Sequence, residues 1–260
     1  MSKTLSHILI TGASSGIGQA LAEHYAAPGV MLSLSGRDEE RLQGAAETCG
    51  NLGAQVHIAA LDVTDKEAMA RWLLERDMEN PVDLVIANAG ISAGTGGLNG
   101  GESDEQVRQI FDVNVTGVLN TIHPLLPFMK ERGRGQIAIM SSIAAYVAIP
   151  GAPAYCASKA AVKSYGQGLR GFLRGSGVKV NVICPGFVRS RMTAKNDFPM
   201  PFLMDSERAA KIIAKKLQQN KGVIVFPWVM ALFCWFCTII PNNVAGMLLR
   251  FVPSKKHFGR

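Results

Sequence analysis

Tyr155 and Lys159 stand four positions apart, and Ser142 lies thirteen positions before the tyrosine. On a helix, residues four apart share one face, so the Lys159 ammonium can lie beside the Tyr155 phenol. A phenol with its usual pKa of roughly 10 is a poor acid–base catalyst near neutrality. One positive charge at about 5 Å, in an effective dielectric near 20, contributes on the order of 3 kcal/mol and would bring that pKa down by roughly two. The Ser142 hydroxyl would then hold a substrate oxygen while Tyr155 exchanges its proton. The same spacing also occurs on ordinary half-buried helix faces, so the triad gains meaning only beside an independent signature.

That signature is at the other end of the chain. The apolar run His7-Ile8-Leu9-Ile10-Thr11 stops at Gly12-Ala13-Ser14-Ser15-Gly16-Ile17-Gly18, and a helical pattern with Leu21, Ala22 and Tyr25 follows. A buried strand, a glycine-rich turn and a helix N-terminus form an anion site, because glycines admit close backbone approach and free N–H groups with the helix dipole favour phosphate. The spacing is G-x-x-x-G-x-G, not the commoner G-x-G-x-x-G of dinucleotide-binding turns.

These segments, with Ala87-Asn88-Ala89-Gly90, Asn114 and Pro185-Gly186, fall in an order and spacing that closely resembles the short-chain dehydrogenase/reductase family over about residues 5 to 226. The resemblance implies hydride transfer between a nicotinamide and a carbonyl carbon, with Tyr155 exchanging the proton, Lys159 lowering its pKa and holding the ribose, and Ser142 orienting the oxygen. It further implies that Asn88, Ala89 and Gly90 lie near the cofactor, that Asn114 holds a water linking Lys159 to solvent, and that Asp62-Val63 contacts adenine. Pro185, Gly186, Val188 and Ser190 would run along the nicotinamide, Ser190 in a Ser-Arg-Met variant of the family's Thr-x-Met.

The second strand ends at Gly36-Arg37, where an NAD-preferring protein would carry an acidic side chain for the ribose 2′-hydroxyl. Arg37 can pair with a 2′-phosphate, so NADP(H) is expected over NAD(H). Asp38, Glu39 and Glu40 could instead make Arg37 part of a solvated helix start, and Ser15 adds no second basic charge in the glycine turn.

The elements that must position these residues follow from alternation. Strand-like runs at 7–11, 30–35, 54–60, 83–87, 135–141, 178–184 and 222–226 alternate with helical patterns near 38–50, 65–78, 103–132, 154–174 and 205–219. This reads as a doubly wound, Rossmann-like parallel sheet of α/β class, with sites at the carboxyl ends of its strands. Residues 1–226 form that unit, and 227–260 an apolar and basic extension. Gly90 to Gly101 holds six glycines and is expected to be a mobile loop near the cofactor. Phe187, Met192, Phe198, Met200 and Phe202 suggest apolar pocket walls.

The chain has 260 residues and a formal net charge of +7. Residues 176–260 hold 13 of the 27 Lys/Arg and 3 of the 20 Asp/Glu, so the whole basic excess is C-terminal. Basic stripes interleaved with aromatics, as nucleic acid would require, are absent, and an anionic lipid surface accounts better for the asymmetry. The polar start, Met1 to Ser6, leads directly into the first strand with no room for a signal peptide, so the catalytic part is expected to be cytoplasmic. Five cysteines fit a reducing compartment, Cys234 and Cys237 lack a second ligand pair, and the histidines form no metal cluster.

Gly222 to Leu249 contains no charged residue, and Trp228 to Ile240, between Pro227 and Pro241, is apolar nearly all round. A helix of that length spans about 20 Å, short of the roughly 30 Å hydrocarbon core. Val244, Met247, Leu248, Phe251 and Val252 then make one apolar stripe, followed by Lys255, Lys256 and Arg260. Two readings stay open: a monotopic contact with an anionic membrane, peripheral on its cytoplasmic face, or a subunit interface or lid in a homo-oligomer. Both favour an apolar substrate. The functional expectation is NADPH-dependent reduction of a lipophilic ketone or aldehyde, reversible to alcohol oxidation. The alternatives are an NAD-linked alcohol dehydrogenase of a small polar substrate and an idle nucleotide-binding sensor, the latter disfavoured by the intact Ser142, Tyr155, Lys159 and Asn114.

Overall fold

Strand β1, His7–Thr11, is buried at all five positions, as a central strand covered on both faces must be. The computed structural model describes residues 5–96, 100–194 and 196–239. In it β1 lies between β2 (Met31–Gly36) and β4 (Leu84–Ala87), and the sheet continues through β3 (Gln55–Ala60) on one side and β5 (Gly135–Met140), β6 (Val178–Pro185) and β7 (Val223–Phe226) on the other. All seven strands are parallel, in the order β3-β2-β1-β4-β5-β6-β7. Strand order reverses between β1 and β4, so their carboxyl ends flank the crevice where such sheets take ligands.

One face of the sheet packs against α1 (Gly16–Tyr25), α2 (Glu39–Asn51) and α9 (Ser206–Gln218) through Leu21, Leu42 and Ile213. The other packs against α3 (Lys66–Glu79), α5 (Gly117–Ile122) and α7 (Pro153–Phe172) through Leu73, Ile122 and Val162. The helices start where the sequence provides caps. Asp38 accepts the Arg41 N–H at 3.1 Å, Asp65 that of Ala68 at 2.9 Å and Ser103 that of Gln106 at 3.1 Å.

Residues 103–132 do not form the single helix expected from their pattern. The chain forms α4 (Asp104–Phe111), a π-helical turn at Asp112–Thr116, α5, and α6 (Leu126–Glu131) after a break. Pro124 and Pro127 supply no N–H and obstruct the preceding turn, which breaks the helix there. Gly117 lies so close to Val63 that a Cβ would stand 2.5 Å from its Cγ2. Helix α8 (Arg191–Ala194) is short, and α10 (Trp228–Ile239) follows β7. The apolar stripe of 244–252, the basic residues 255, 256 and 260, and the side chains of Cys234 and Cys237 lie outside the described residues.

Candidate active site

The glycine turn folds back on itself around β4. Gly12 and Gly16 have φ of +67° and +59°, conformations that side-chain-bearing residues rarely adopt. A Cβ on Gly18 would stand 2.3 Å from the Gly12 carbonyl oxygen and 2.5 Å from Asn88 Nδ2. Asn88 donates from that amide to the Thr11 and Gly12 carbonyls at 2.9 and 3.1 Å, and its own N–H reaches Thr11 Oγ1 at 3.1 Å. The Ala89 N–H makes a second, longer contact with Thr11 Oγ1 at 3.3 Å. Asn88 thus ties β1, the turn and the end of β4 into one unit. Ser15 is the N-cap of α1, yet its side chain makes no cap hydrogen bond, so the side chains leave the helix N–H groups open to an anion.

Ser142 stands just after β5, while Tyr155 and Lys159 lie one turn apart near the start of α7. Ser142 hydrogen-bonds to Tyr155 and also accepts the Ala144 N–H at 3.1 Å. Lys159 is buried and donates from Nζ to the Met140 carbonyl at 3.0 Å, while Ser141 Oγ donates to the Lys159 carbonyl at 2.8 Å. The Lys159 ammonium is 6.0 Å from the Tyr155 ring centroid.

The electrostatics of this cluster differ from the sequence expectation. Burial pushes the Tyr155 phenol up to about 12, with the Ser142 hydrogen bond pulling the other way, and burial brings Lys159 down to about 8. Both groups are driven toward their neutral forms, because desolvation outweighs the charge of an ammonium turned toward a main-chain carbonyl. Below pH 8 Lys159 is protonated folded and unfolded, and the cost of burying its charge is fully present. Between 8 and the unfolded value of 10.5 the unfolded chain binds more protons, so stability rises with pH. Tyr155 acts oppositely, from 10 upward. Denaturant titrations at pH 7.5 and 10 should therefore show a gain of up to about 3 kcal/mol in the wild type that is missing in Lys159→Met. An equal pH response in both proteins would contradict the assignment.

Asn114, in the π-helical turn, is fully buried. Its Oδ1 accepts the Ile91 N–H at 2.8 Å, and its Nδ2 donates to the Ile91 carbonyl and to Ser158 Oγ, each at 3.0 Å. The side chain thereby braces the loop after β4 against the helix of Tyr155 and Lys159. A Cβ on Gly90 would lie 3.1 Å from Asn114 Oδ1 and 3.2 Å from Lys159 Nζ, so the turn and the lysine share one wall. Within residues 91–96 the Thr95 N–H reaches the Gly151 carbonyl at 3.0 Å, and Gln106 Nε2 donates to the Gly94 carbonyl at 3.1 Å. Residues 97–99 lie outside the described residues.

Just after β2, Arg37 is exposed and approaches Asp62 at 3.9 Å. Asp62 Oδ1 accepts the N–H and hydroxyl of Thr64, and Val63 is buried with its carbonyl held by Asn120 at 2.9 Å. Pro185 ends β6, and Gly186 follows against Pro227 and Met230. Val188 pairs with Met204 in an isolated parallel bridge, and Ser190 packs beside Gly16. Phe187 and Phe198 meet edge to face at 6.2 Å between ring centres, whereas Phe202 is exposed.

Several residues went unread in the sequence. Thr193 accepts the Ser190 N–H and donates to the Val188 carbonyl, each at 2.9 Å, and fixes the segment after β6. Ser158 and Ser141 support Asn114 and Lys159. Arg41, Arg189 and Arg191 line an open groove beside Ser14 and Ser15. None of these has a motif spacing; Ser158 alone could have been suspected, since it lies between Tyr155 and Lys159.

The residues present fit a dinucleotide. The turn is shaped so that a Cβ at Gly18 has no room, the helix N–H groups lack a side-chain cap, and a Cβ at Gly90 would stand 3.2 Å from Lys159 Nζ. Among the described residues no group of three or more His, Cys, Asp or Glu could hold a metal ion.

A family model described as short chain dehydrogenase matches residues 6–199. An uncharacterized oxidoreductase of Myxococcus xanthus is 40% identical over 235 residues, covering 90% of this chain and 92% of that protein. The solved short-chain dehydrogenase from Sphingobium yanoikuyae in complex with NADPH has a TM-score of 0.79 at 25% identity, covering 96% of this chain and 97% of that one. A short chain dehydrogenase/reductase from Burkholderia phymatum in complex with NAD reaches 0.80 at 25% identity, covering 89% of this chain and 92% of that one.

Proposed function

Given that the chain belongs to the short-chain dehydrogenase family, and so is a nicotinamide-dependent oxidoreductase interconverting alcohols and carbonyls, we propose that it reduces a ketone or aldehyde on a lipophilic molecule with NADPH. The observation that carries this reading is the hydrogen-bonded pair Ser142 and Tyr155 beside the buried ammonium of Lys159. A nicotinamide dinucleotide bound along Gly12, Gly18 and Gly90 supplies the hydride. Ser142 donates a hydrogen bond to the substrate oxygen and holds it against the phenol. Tyr155 delivers its proton to that oxygen as negative charge develops there, so that charge is neutralised within the site. Lys159, held by the Met140 carbonyl, stabilises the phenolate that remains and contacts the ribose. Asn114 acts as a positioning residue through the Ile91 backbone and Ser158.

Arg37 supports the NADPH preference: it directly follows Gly36, the last residue of β2, where no acid stands. The rival reading, an NAD-linked enzyme for a small polar alcohol, is favoured by the approach of Asp62 to Arg37 at 3.9 Å, which offsets part of the positive charge. Arg37→Ala distinguishes them. Losing a charge-assisted phosphate contact typically costs on the order of 1.5–3 kcal/mol, so NADPH should bind roughly ten- to a hundredfold more weakly, with NADH unchanged. Equal changes for both cofactors, by fluorescence titration, would make Arg37 a surface residue.

A lipophilic substrate is supported by the apolar side chains after β6, Phe187 and Phe198 among them, and by α10 next to Gly186. Exposed Phe128 on α6 and Phe172 on α7 support a homo-oligomer. Among the described residues no helix is long and apolar enough to cross a membrane. Residues 227–260 act in this reading as an extension that touches an anionic membrane peripherally.

A further inference from the structure

Helix α10 has two unlike sides. Met230 turns inward: a Cβ on Gly186 would meet Pro227 Cδ at 3.0 Å, Met230 Sδ at 3.1 Å and Ile143 Cδ1 at 3.5 Å. Ile143 directly follows Ser142, and Gly186 directly follows Pro185, so the inner side of α10 borders the proposed substrate end of the site. Ile143, Val147 and Met230 belong to one small apolar cluster there. Outward, Trp228, Leu232, Trp235 and Ile239 recur at i, i+4, i+7 and i+11, with Phe233 and Phe236 beside them. Every one of these six is more than half exposed in the single chain. No monomer in water gains from such a face.

The geometry points to a phospholipid bilayer with anionic headgroups as its occupant: α10 lies in the plane of one leaflet with this face among the upper acyl chains, so that the substrate end of the site opens against lipid. The inference rests on the lipophilic-carbonyl reading above and deepens it. Twelve residues at 1.5 Å each give about 18 Å, so α10 cannot span a core of roughly 30 Å and must lie within one leaflet or along it. Tryptophan at Trp228 and Trp235 suits the headgroup boundary. Charge selects lipid over a second copy of this chain. After the uncharged stretch, residues 250–260 hold Arg250, Lys255, Lys256 and Arg260 and no Asp or Glu, so the side chains of the same segment in another copy offer only like charge, whereas an anionic leaflet offers the complement.

The chain carries its own reporter, since two of its three tryptophans lie on this face and the third, Trp72, is buried against the sheet. Mixing the 260-residue protein with vesicles of brominated phosphatidylcholine and phosphatidylserine should quench most of the exposed-tryptophan emission. Phosphatidylcholine alone should quench less, and high salt should reduce the effect. Leu232→Glu/Phe236→Glu alters only the outward face. It should lower the vesicle partition coefficient at least about tenfold while NADPH-dependent reduction of a water-soluble carbonyl continues unchanged. Unquenched emission at low salt overturns the inference. So does a double variant that binds vesicles like the wild type, or one whose only change is a fall in molecular mass by light scattering, the mark of a protein interface. Absence of any carbonyl turnover would count against the reductase reading alone, because lipid binding is read by fluorescence.

Discussion

Tyr155→Phe is expected to lower carbonyl turnover by about 10²- to 10⁴-fold, the usual contribution of a positioned proton donor, with NADPH affinity within a few-fold of wild type. The substitution removes one oxygen and keeps the ring that packs near Lys159. Ser142 then loses the phenol but keeps the Ala144 N–H, and remains able to hold a substrate oxygen. Lys159→Ala should behave differently and damage both turnover and cofactor binding. Single-turnover kinetics with saturating NADPH separate the two, because product release cannot then mask the chemical step. Substantial turnover in Tyr155→Phe would remove the phenol from the proposed proton path.

Gly18→Ala should be nearly as damaging, by another route. The added carbon would stand 2.3 Å from the Gly12 carbonyl oxygen and 2.5 Å from the Asn88 amide, which holds that carbonyl in place. Neither atom is the free end of a flexible chain, so the turn itself must move. Overpacking of this kind costs about 1–3 kcal/mol of stability, and a displaced turn should weaken NADPH on the order of a hundredfold. Gly44→Ala in α2 is the control: nothing lies within 4 Å of its Cβ position, and alanine there should be neutral or stabilising by up to about 1 kcal/mol. Thermal midpoints and NADPH titrations of both variants test the contrast. A Gly18→Ala protein that binds NADPH normally would show the turn to be a tight bend without a ligand.

Most strand positions were readable because parallel strands buried on both faces leave continuous apolar runs such as Ile8-Leu9-Ile10 and Val85-Ile86-Ala87, bounded by glycine or polar residues. The stretch from 103 to 132 misled because periodicity registers an apolar face but not the hydrogen-bond ladder. Pro124 and Pro127 carried the missing information. The π-helical turn at Asp112–Thr116 has no compositional mark at all. In the site, side chains with fixed spacing were legible, namely Ser142, Tyr155, Lys159 and the glycines. Partners that act through main-chain atoms, such as Met140 under Lys159 and Ile91 under Asn114, were not, because any residue has a carbonyl or an N–H. The electrostatic expectation failed for a related reason. Sequence places a charge near the phenol but does not show how completely both groups leave water, and burial decides the direction for Tyr155 and Lys159 alike.

Purified protein offered a panel of lipophilic ketones and aldehydes with NADPH, with cofactor oxidation and alcohol formation measured together, gives the decisive result. Stoichiometric conversion of at least one long-chain or polycyclic carbonyl is expected, faster with NADPH than with NADH and abolished in Tyr155→Phe. A protein that binds NADPH but converts none of these carbonyls, or that turns over only small polar alcohols with NAD, would contradict it.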